Sequence, residues 1–290
     1  MDQQTYIKAI ERSFGKQNVP HDSDALWAKI DFLQQTQRYR QLISQIAKVN
    51  NLSNFCALAF EANFAFQYES QGLELAYEVK QDVRRKSSID FLRSMPSGVR
   101  VFFELRQLKQ ATSITDSINA QLQHCQHYQV ALNGQGEKNQ IDRIQDTILS
   151  KVQDKDGTPR KFFSAAADAV NIVAVDAADS ILKTIDHHDC LLAAYGDTAV
   201  INAFQLDVFG LFQEDKPEYL PHIHELAAKC AHFRKTVHGI LFLFKKPKTG
   251  ILAYQLERYL MWNPALIDSA RAHRIRNELN DVISLRIRPI

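Results

Sequence analysis

Asp90 and Glu104 are the residues around which chemistry is most readily built in this sequence. Asp90 lies between Ile89 and Phe91, and Glu104 follows Val101-Phe102-Phe103 and precedes Leu105-Arg106. Each acid sits in a short apolar, strand-like run. Met95-Pro96-Ser97-Gly98 between the runs is a turn signal, so a hairpin is expected to set the two acids on neighbouring strands. Two carboxylates beside a cation are the raw material of a divalent-metal site acting on phosphate. Hard oxygen ligands hold a hard cation, and a bound cation lowers the pKa of water and stabilises a leaving oxygen.

Two further residues bear on that site. In the run 99–108, period two places Val99, Val101, Phe103 and Leu105 on one face. Phe102, Glu104 and Arg106 fall on the other, with Arg106 beside Glu104. Glu61 lies in the middle of a stretch, 51–68, that is apolar almost all round: Phe55, Leu58, Phe60, Phe64 and Phe66. Such a helix is expected to be buried, and a charge within it is costly unless paired or metal-bound. Glu61 is therefore either a third site acid or a residue that reaches the surface or pairs with Arg84 or Arg100.

The elements that must position these residues are readable from periodicity. After the helix 51–68 come strands near 73–79, 88–92 and 99–108, then helices near 113–128 and 138–152. A fourth strand, 170–176, is apolar almost throughout, as expected of a central strand buried on both faces. Residues 1–48 read as helices, with Asp22-Ser23-Asp24 as an N-cap. Two apolar stripes, Leu26, Trp27, Ile30, Leu33 and Leu42, Ile43, Ile46, are separated by a polar run at 34–38 where the helix is expected to break. This region reads as a cap over the core, with self-association through these helices as the alternative. Beyond 176 we expect a helix at 221–235, a hairpin of 236–245 and 250–257, and a terminal helix at 265–282 carrying Arg271, Arg274 and Arg276.

The order helix, three strands, helix, strand over 51–176, with Asp90 on the second strand and Glu104-Leu105-Arg106 on the third, resembles the PD-(D/E)XK nuclease superfamily. The resemblance covers less than half the chain. It implies an α/β fold: an αβββαβ restriction-endonuclease-like core (51–176), a helical N-terminal cap (1–50), and a C-terminal hairpin-plus-helix extension (177–290) packed on the core. It also implies Mg²⁺ or Mn²⁺ held by Asp90, Glu104 and Glu61, and cleavage of phosphodiester bonds in nucleic acid, with Asp90, Glu104 and Arg106 as the catalytic set. Arg106 stands where the family has lysine. Arginine is always protonated, so it can clamp a phosphate oxygen but cannot act as a base. An active enzyme would rely on the metal or on another lysine, with Lys80 and Lys109 as candidates.

Lys80, Arg84, Arg100 and Lys151 are the expected phosphate contacts. Gln145 and Lys151 fall where some members carry an accessory polar residue. The run Arg84-Arg85-Lys86 has a solvated loop as its plainer reading. Glu78-Val79-Lys80 offers a second, weaker register. The competing class is a catalytically inactive nuclease-fold module that binds nucleic acid or protein, with Arg106 marking the decay of its site.

Composition narrows the field. The 290 residues are 45% hydrophobic and 23% charged, with a formal net charge of +2, so polyanion binding would need a local basic patch. No apolar run approaches the roughly 20 residues of a membrane span, and residues 1–17 lack a signal-peptide core. Cys56, Cys125, Cys190 and Cys230 are widely spaced, which suits reduced, buried thiols in a cytoplasmic protein. The pairs Cys125-x-His127, His187-His188-x-Cys190, His222-x-His224 and Cys230-x-His232 lack zinc-finger spacing. Asp176, Asp179, Asp186 and Asp189 read as caps and a solvated face. Walker, dinucleotide and G-x-S-x-G signatures are missing.

Overall fold

The computed structural model describes the chain except residues 81–86, 109–111, 125–128, 130–134, 163–165, 178–184, 197–207, 218, 220, 248, 281 and 285–290. The side chains of 112–115, 135–137, 222 and 282–284 are likewise left out. Arg84-Arg85-Lys86, Lys109, Cys125, His127 and Asp179 thus lie outside the described residues.

The fold is α/β, and one mixed seven-stranded sheet forms its middle layer in the order β1 to β7. The strands are β1 (Ala76–Val79), β2 (Ile89–Ser94), β3 (Arg100–Gln107), β4 (Ala169–Asp176), β5 (Gly239–Lys245), β6 (Leu256–Trp262) and β7 (Val282–Ser284). Strands β1, β2 and β3 pair antiparallel, β3–β4–β5 pair parallel, β6 returns antiparallel to β5, and β7 lies parallel to β6. Strand β4 is buried along its whole length, because parallel neighbours flank it and helices cover both faces. The hairpin β5–β6 extends the sheet that begins at β1.

The alternation in β3 sorts the two cores. Val101, Phe103 and Leu105 point into the core shared with α1 (Gln3–Phe14), α2 (Ser23–Gln35), α3 (Arg40–Lys48), α4 (Leu52–Glu69) and the late helix Ser269–Leu279. Phe102 joins the opposite core, with Ile141, Ile144 and Ile148 of α6 (Gln135–Val152) and with α7 (His187–Tyr195). Between β3 and α6 lies α5 (Thr112–Leu122); α8 (Pro221–Lys229) and α9 (Ala231–Thr236) precede β5, and the late helix is α10. The break between α2 and α3 falls at the polar run, and both apolar stripes are buried within the chain itself, apart from Trp27, which is half-buried against Tyr6. Among the described residues no helix is long and apolar enough to cross a membrane.

Several elements depart from the local pattern, each for a visible reason. Asp22 stands at the N-cap of α2, but its side chain makes no capping bond. Its Oδ2 accepts instead from the Leu252 and Ala253 N–H groups, both at 2.7 Å. Asn63 of α4 accepts from Tyr254 N–H and donates to the Leu252 carbonyl. These side chains pair the backbone that the sequence assigns to a strand at 250–255, so β6 begins only at Leu256. Strand β1 starts late for a similar reason: the buried carboxylate of Glu69 takes the Leu75 N–H together with Tyr39 Oη and Arg38. The helix at 221–235 is two helices parted at Cys230. The terminal helix spans only Ser269–Leu279, and β7 follows it.

Candidate active site

The second and third strands part where the two acids sit. The β2–β3 ladder runs from Ser94↔Arg100 to Phe91↔Phe103 and stops there. Beyond it, the Leu105 N–H donates at 2.7 Å to Asp90 Oδ2, a side chain rather than a strand backbone. On the other flank of β2, the β1 pairs are Tyr77↔Phe91 and Val79↔Ile89, and Glu78 between them takes a left-handed φ of 50°. That conformation costs a non-glycine residue about 1–2 kcal/mol. Asp90 thus lies between two local breaks in the sheet, and its side chain supplies an acceptor that the ladder no longer provides.

Glu104 faces α6, as the period of β3 requires. It is fully buried, and both carboxylate oxygens are taken by lysines. Lys151 Nζ, from the last turn of α6, reaches Oε1 at 2.7 Å, and Lys161 Nζ reaches Oε2 at 2.6 Å. Lys161 also donates to the Ser88 carbonyl at 2.7 Å, so it bridges the start of β2 to β3. Its own carbonyl accepts from His232 Nε2 of α9 at 3.1 Å, which makes that ring nitrogen the protonated one. Burial and the Asp90 charge push the Glu104 carboxyl up, against the pull of the two lysines. Burial works against the Lys151 charge, but Glu104 and Asp90 outweigh it and raise its pKa, so the amine stays an ammonium.

Glu61 comes from the other side of the sheet. Its Oε2 accepts from Tyr77 Oη at 2.7 Å. Of the two arginines named as its partner, Arg100 pairs with Asp168 at 2.8 Å instead, and Arg84 lies outside the described residues. Burial raises the Glu61 pKa to about 7, with Asp90 and Glu78 adding to the rise and Tyr77 and Lys151 opposing it.

Of the residues expected at a site, Asp90, Glu104, Glu61 and Lys151 are brought into one electrostatic field. Arg106 is exposed, close enough to act on the charge of Lys151. Lys80 is exposed at the end of β1. Arg100 is not brought in: it begins β3, four residues and roughly 13 Å along the strand from Glu104. Gln145 is also elsewhere, donating to the Ala193 and Phe209 carbonyls and so tying α6 to α7. Asp186 and Asp189 form the capping box of α7, as their positions suggest. Lys161 went unread. It lies 57 residues from Glu104, and nothing in its spacing marks it; the one cue is a basic residue just ahead of Phe162, which is buried with φ 56°.

Does this donor set suit a divalent cation? Among the described residues, no three His, Cys, Asp or Glu side chains converge as a ready-made cage. The donors present are carboxylate oxygens. Among the described residues, Asp90 and Glu78 act on Glu61, and Asp90 acts on Glu104, where half-buried Lys151 and Lys161 oppose it. Among the described residues these carboxylates gather about Asp90, and oxygen donors are what Mg²⁺ or Mn²⁺ take.

No family model matches the chain, and no curated protein matches it. Among solved structures, the chain is similar to Pyrococcus furiosus SfsA, determined in complex with Ca²⁺. The two are 11% identical, with a TM-score of 0.22, over 74% of this chain and 63% of that one. The chain therefore spans less than two thirds of that protein's length, and a likeness at this score decides neither fold nor activity. What stands for this chain is the α/β sheet with a carboxylate–lysine cluster at the parting of β2 and β3.

Proposed function

We propose that the chain is a divalent-metal-dependent, nuclease-like phosphodiester hydrolase built on a PD-(D/E)XK-type core. The observation that supports this reading is the gathering of carboxylates around Asp90 where β2 and β3 separate. Asp90, Glu61 and Glu104 would hold Mg²⁺ or Mn²⁺, which when bound lowers the pKa of a water and stabilises a leaving oxygen. Lys151 and Lys161 supply fixed positive charge beside Glu104, and neither an ammonium nor the Arg106 guanidinium accepts a proton, so deprotonation of water would fall to the metal. Held against Glu104, they offset its charge and offer ammonium groups to phosphate oxygens. Exposed Arg106 suits a non-bridging oxygen arriving from solvent, and Lys80 extends the cationic rim; Arg100, paired with Asp168, would contact only a longer substrate, and Arg84 lies outside the described residues.

A second reading has its own observation. Both oxygens of Glu104 are capped by ammoniums, which is also how an inactive module would neutralise a leftover acid. One experiment separates the two. Cleavage of DNA and RNA is measured with Mg²⁺ or Mn²⁺ for wild type, Asp90→Ala and Glu104→Ala, alongside binding of the same strands. Metal-dependent cleavage lost in both variants supports the hydrolase. Binding without cleavage in all three supports the module.

A further inference from the structure

A net charge of +2 over 290 residues gives no general pull on a polyanion, so a local gathering of cations has to supply it. One such gathering lies on α1. Lys8 and Arg12 stand four residues apart on that helix, neighbours on one face at a rise of about 6 Å. Lys16 follows in the 3₁₀ turn Lys16–Asn18. These three line an open groove of about 370 Å³ together with Glu11 and with Ala47 of α3. Lys48 is exposed beside Ala47 at the end of α3.

Arg12 is fixed in this groove. Its Nε donates to the Lys8 carbonyl at 3.2 Å and its Nη2 to the Ala47 carbonyl at 2.7 Å. Both acceptors are carbonyls, so the guanidinium is anchored while its charge is left uncancelled. Among the described residues no carboxylate forms an ion pair with Lys8, Arg12, Lys16 or Lys48. The acids nearby are Glu11 in the lining and Asp2, which is engaged as the N-cap of α1 by the Thr5 N–H at 2.7 Å. A lipid surface is a poor match, because Tyr6, Ala9 and Ile10 of α1 are buried in the core and Ile7 is its one exposed apolar residue. Cations at a stride of about 6 Å do match the repeat of phosphates along a nucleic-acid strand.

We propose that the groove along α1, with Lys8, Arg12, Lys16 and Lys48, holds the phosphate backbone of a nucleic-acid strand. Because α1 belongs to the core opposite that of α6, this surface is separate from Lys151 and Lys161. The inference rests on the nucleic-acid ligand of the reading above, and needs neither a metal nor cleavage.

The test is fluorescence anisotropy of a labelled single-stranded oligothymidine in EDTA, from about 50 to 200 mM salt. Wild type is compared with the triple variant Lys8→Gln, Lys16→Gln, Lys48→Gln and with Glu11→Gln, at matched melting temperatures. Each phosphate contact on a single strand adds about −0.7 to the slope of log affinity against log salt. Losing three contacts should flatten that slope by about 2, so wild type should lose about 20-fold more affinity than the triple variant across this range. Glu11→Gln, which takes an acid out of the lining, should bind more tightly. An unchanged slope in the triple variant overturns the inference, as does a Glu11→Gln variant that binds no better or a wild type that does not bind. Equal displacement of the strand by polyglutamate or by phosphatidylserine vesicles overturns it too. The hydrolase reading fails separately: slope-dependent binding through α1 with no metal-dependent cleavage removes that reading and leaves this surface standing.

Discussion

Replacing Glu61 by glutamine is expected to stabilise the protein, and to do so only above a defined pH. Burial and the neighbouring acids raise the folded-state pKa of Glu61 from its ordinary 4.5 to about 7. The folded state then holds this proton more tightly than the unfolded chain. Its stability is therefore penalised as pH rises from 4.5 through 7, and the whole penalty is present above that. A gap of about 2.5 pH units, at 1.36 kcal/mol each, is about 3 kcal/mol. Glutamine is never charged, and its carbonyl can still accept from Tyr77, so the substitution removes the penalty without orphaning the hydroxyl. Urea denaturation at pH 5, 6, 7 and 8 checks this. The gain should be below about 1 kcal/mol at pH 5, about 2 kcal/mol at pH 6, and level off at about 3 kcal/mol at pH 7 to 8. A gain independent of pH, or a glutamine variant less stable than wild type at pH 8, would refute the reasoning. A loss of metal binding together with a gain in stability would mark Glu61 as an acid kept for function rather than for folding.

Three other substitutions probe how the fold is held elsewhere. Glu69→Gln weakens charge-assisted bonds to Arg38, Tyr39 and Leu75 N–H, and should cost about 2 kcal/mol in chemical denaturation. Asp22→Ala should cost a similar ~2 kcal/mol, because it orphans the Leu252 and Ala253 N–H groups. Its signature is faster proteolysis within 246–255 with the helical circular dichroism of α2 unchanged. Gly210→Ala should be the most damaging, at about 3 kcal/mol or more. Its new methyl would overlap Gly196 N and the Tyr195 backbone, which have no side-chain freedom to yield; soluble expression and melting temperature report it.

The local sequence was sufficient for the features that depend on neighbours a few residues apart. The two-residue period of β3 put Glu104 on the face opposite Phe103, and the apolar run of β4 marked it as buried on both sides. The turn at Met95–Gly98 paired β2 with β3 and so brought Asp90 and Glu104 to neighbouring strands. The polar run at 34–38 located the break between α2 and α3. In each case side-chain direction follows from backbone period, and burial follows from side-chain direction.

Only the tertiary structure decided which cation meets which acid. Arg106 sits two residues from Glu104 on the same face, yet it is exposed, while Lys161, distant in sequence, takes the carboxylate. Arg100, an apparent partner for Glu61, is claimed by Asp168, and Glu61 goes to a tyrosine on another strand. The same holds for Asp22, a cap by its position and a clamp on 252–253 by its contacts, and for β7, which exists because β6 offers it an open edge. An ion pair or a side-chain-to-backbone bond depends on where two segments cross after the sheet and its covering helices have packed. That crossing leaves no periodic trace in either segment, so the strands that carry these acids could be read from the sequence while the partners Lys161 and Tyr77 could not.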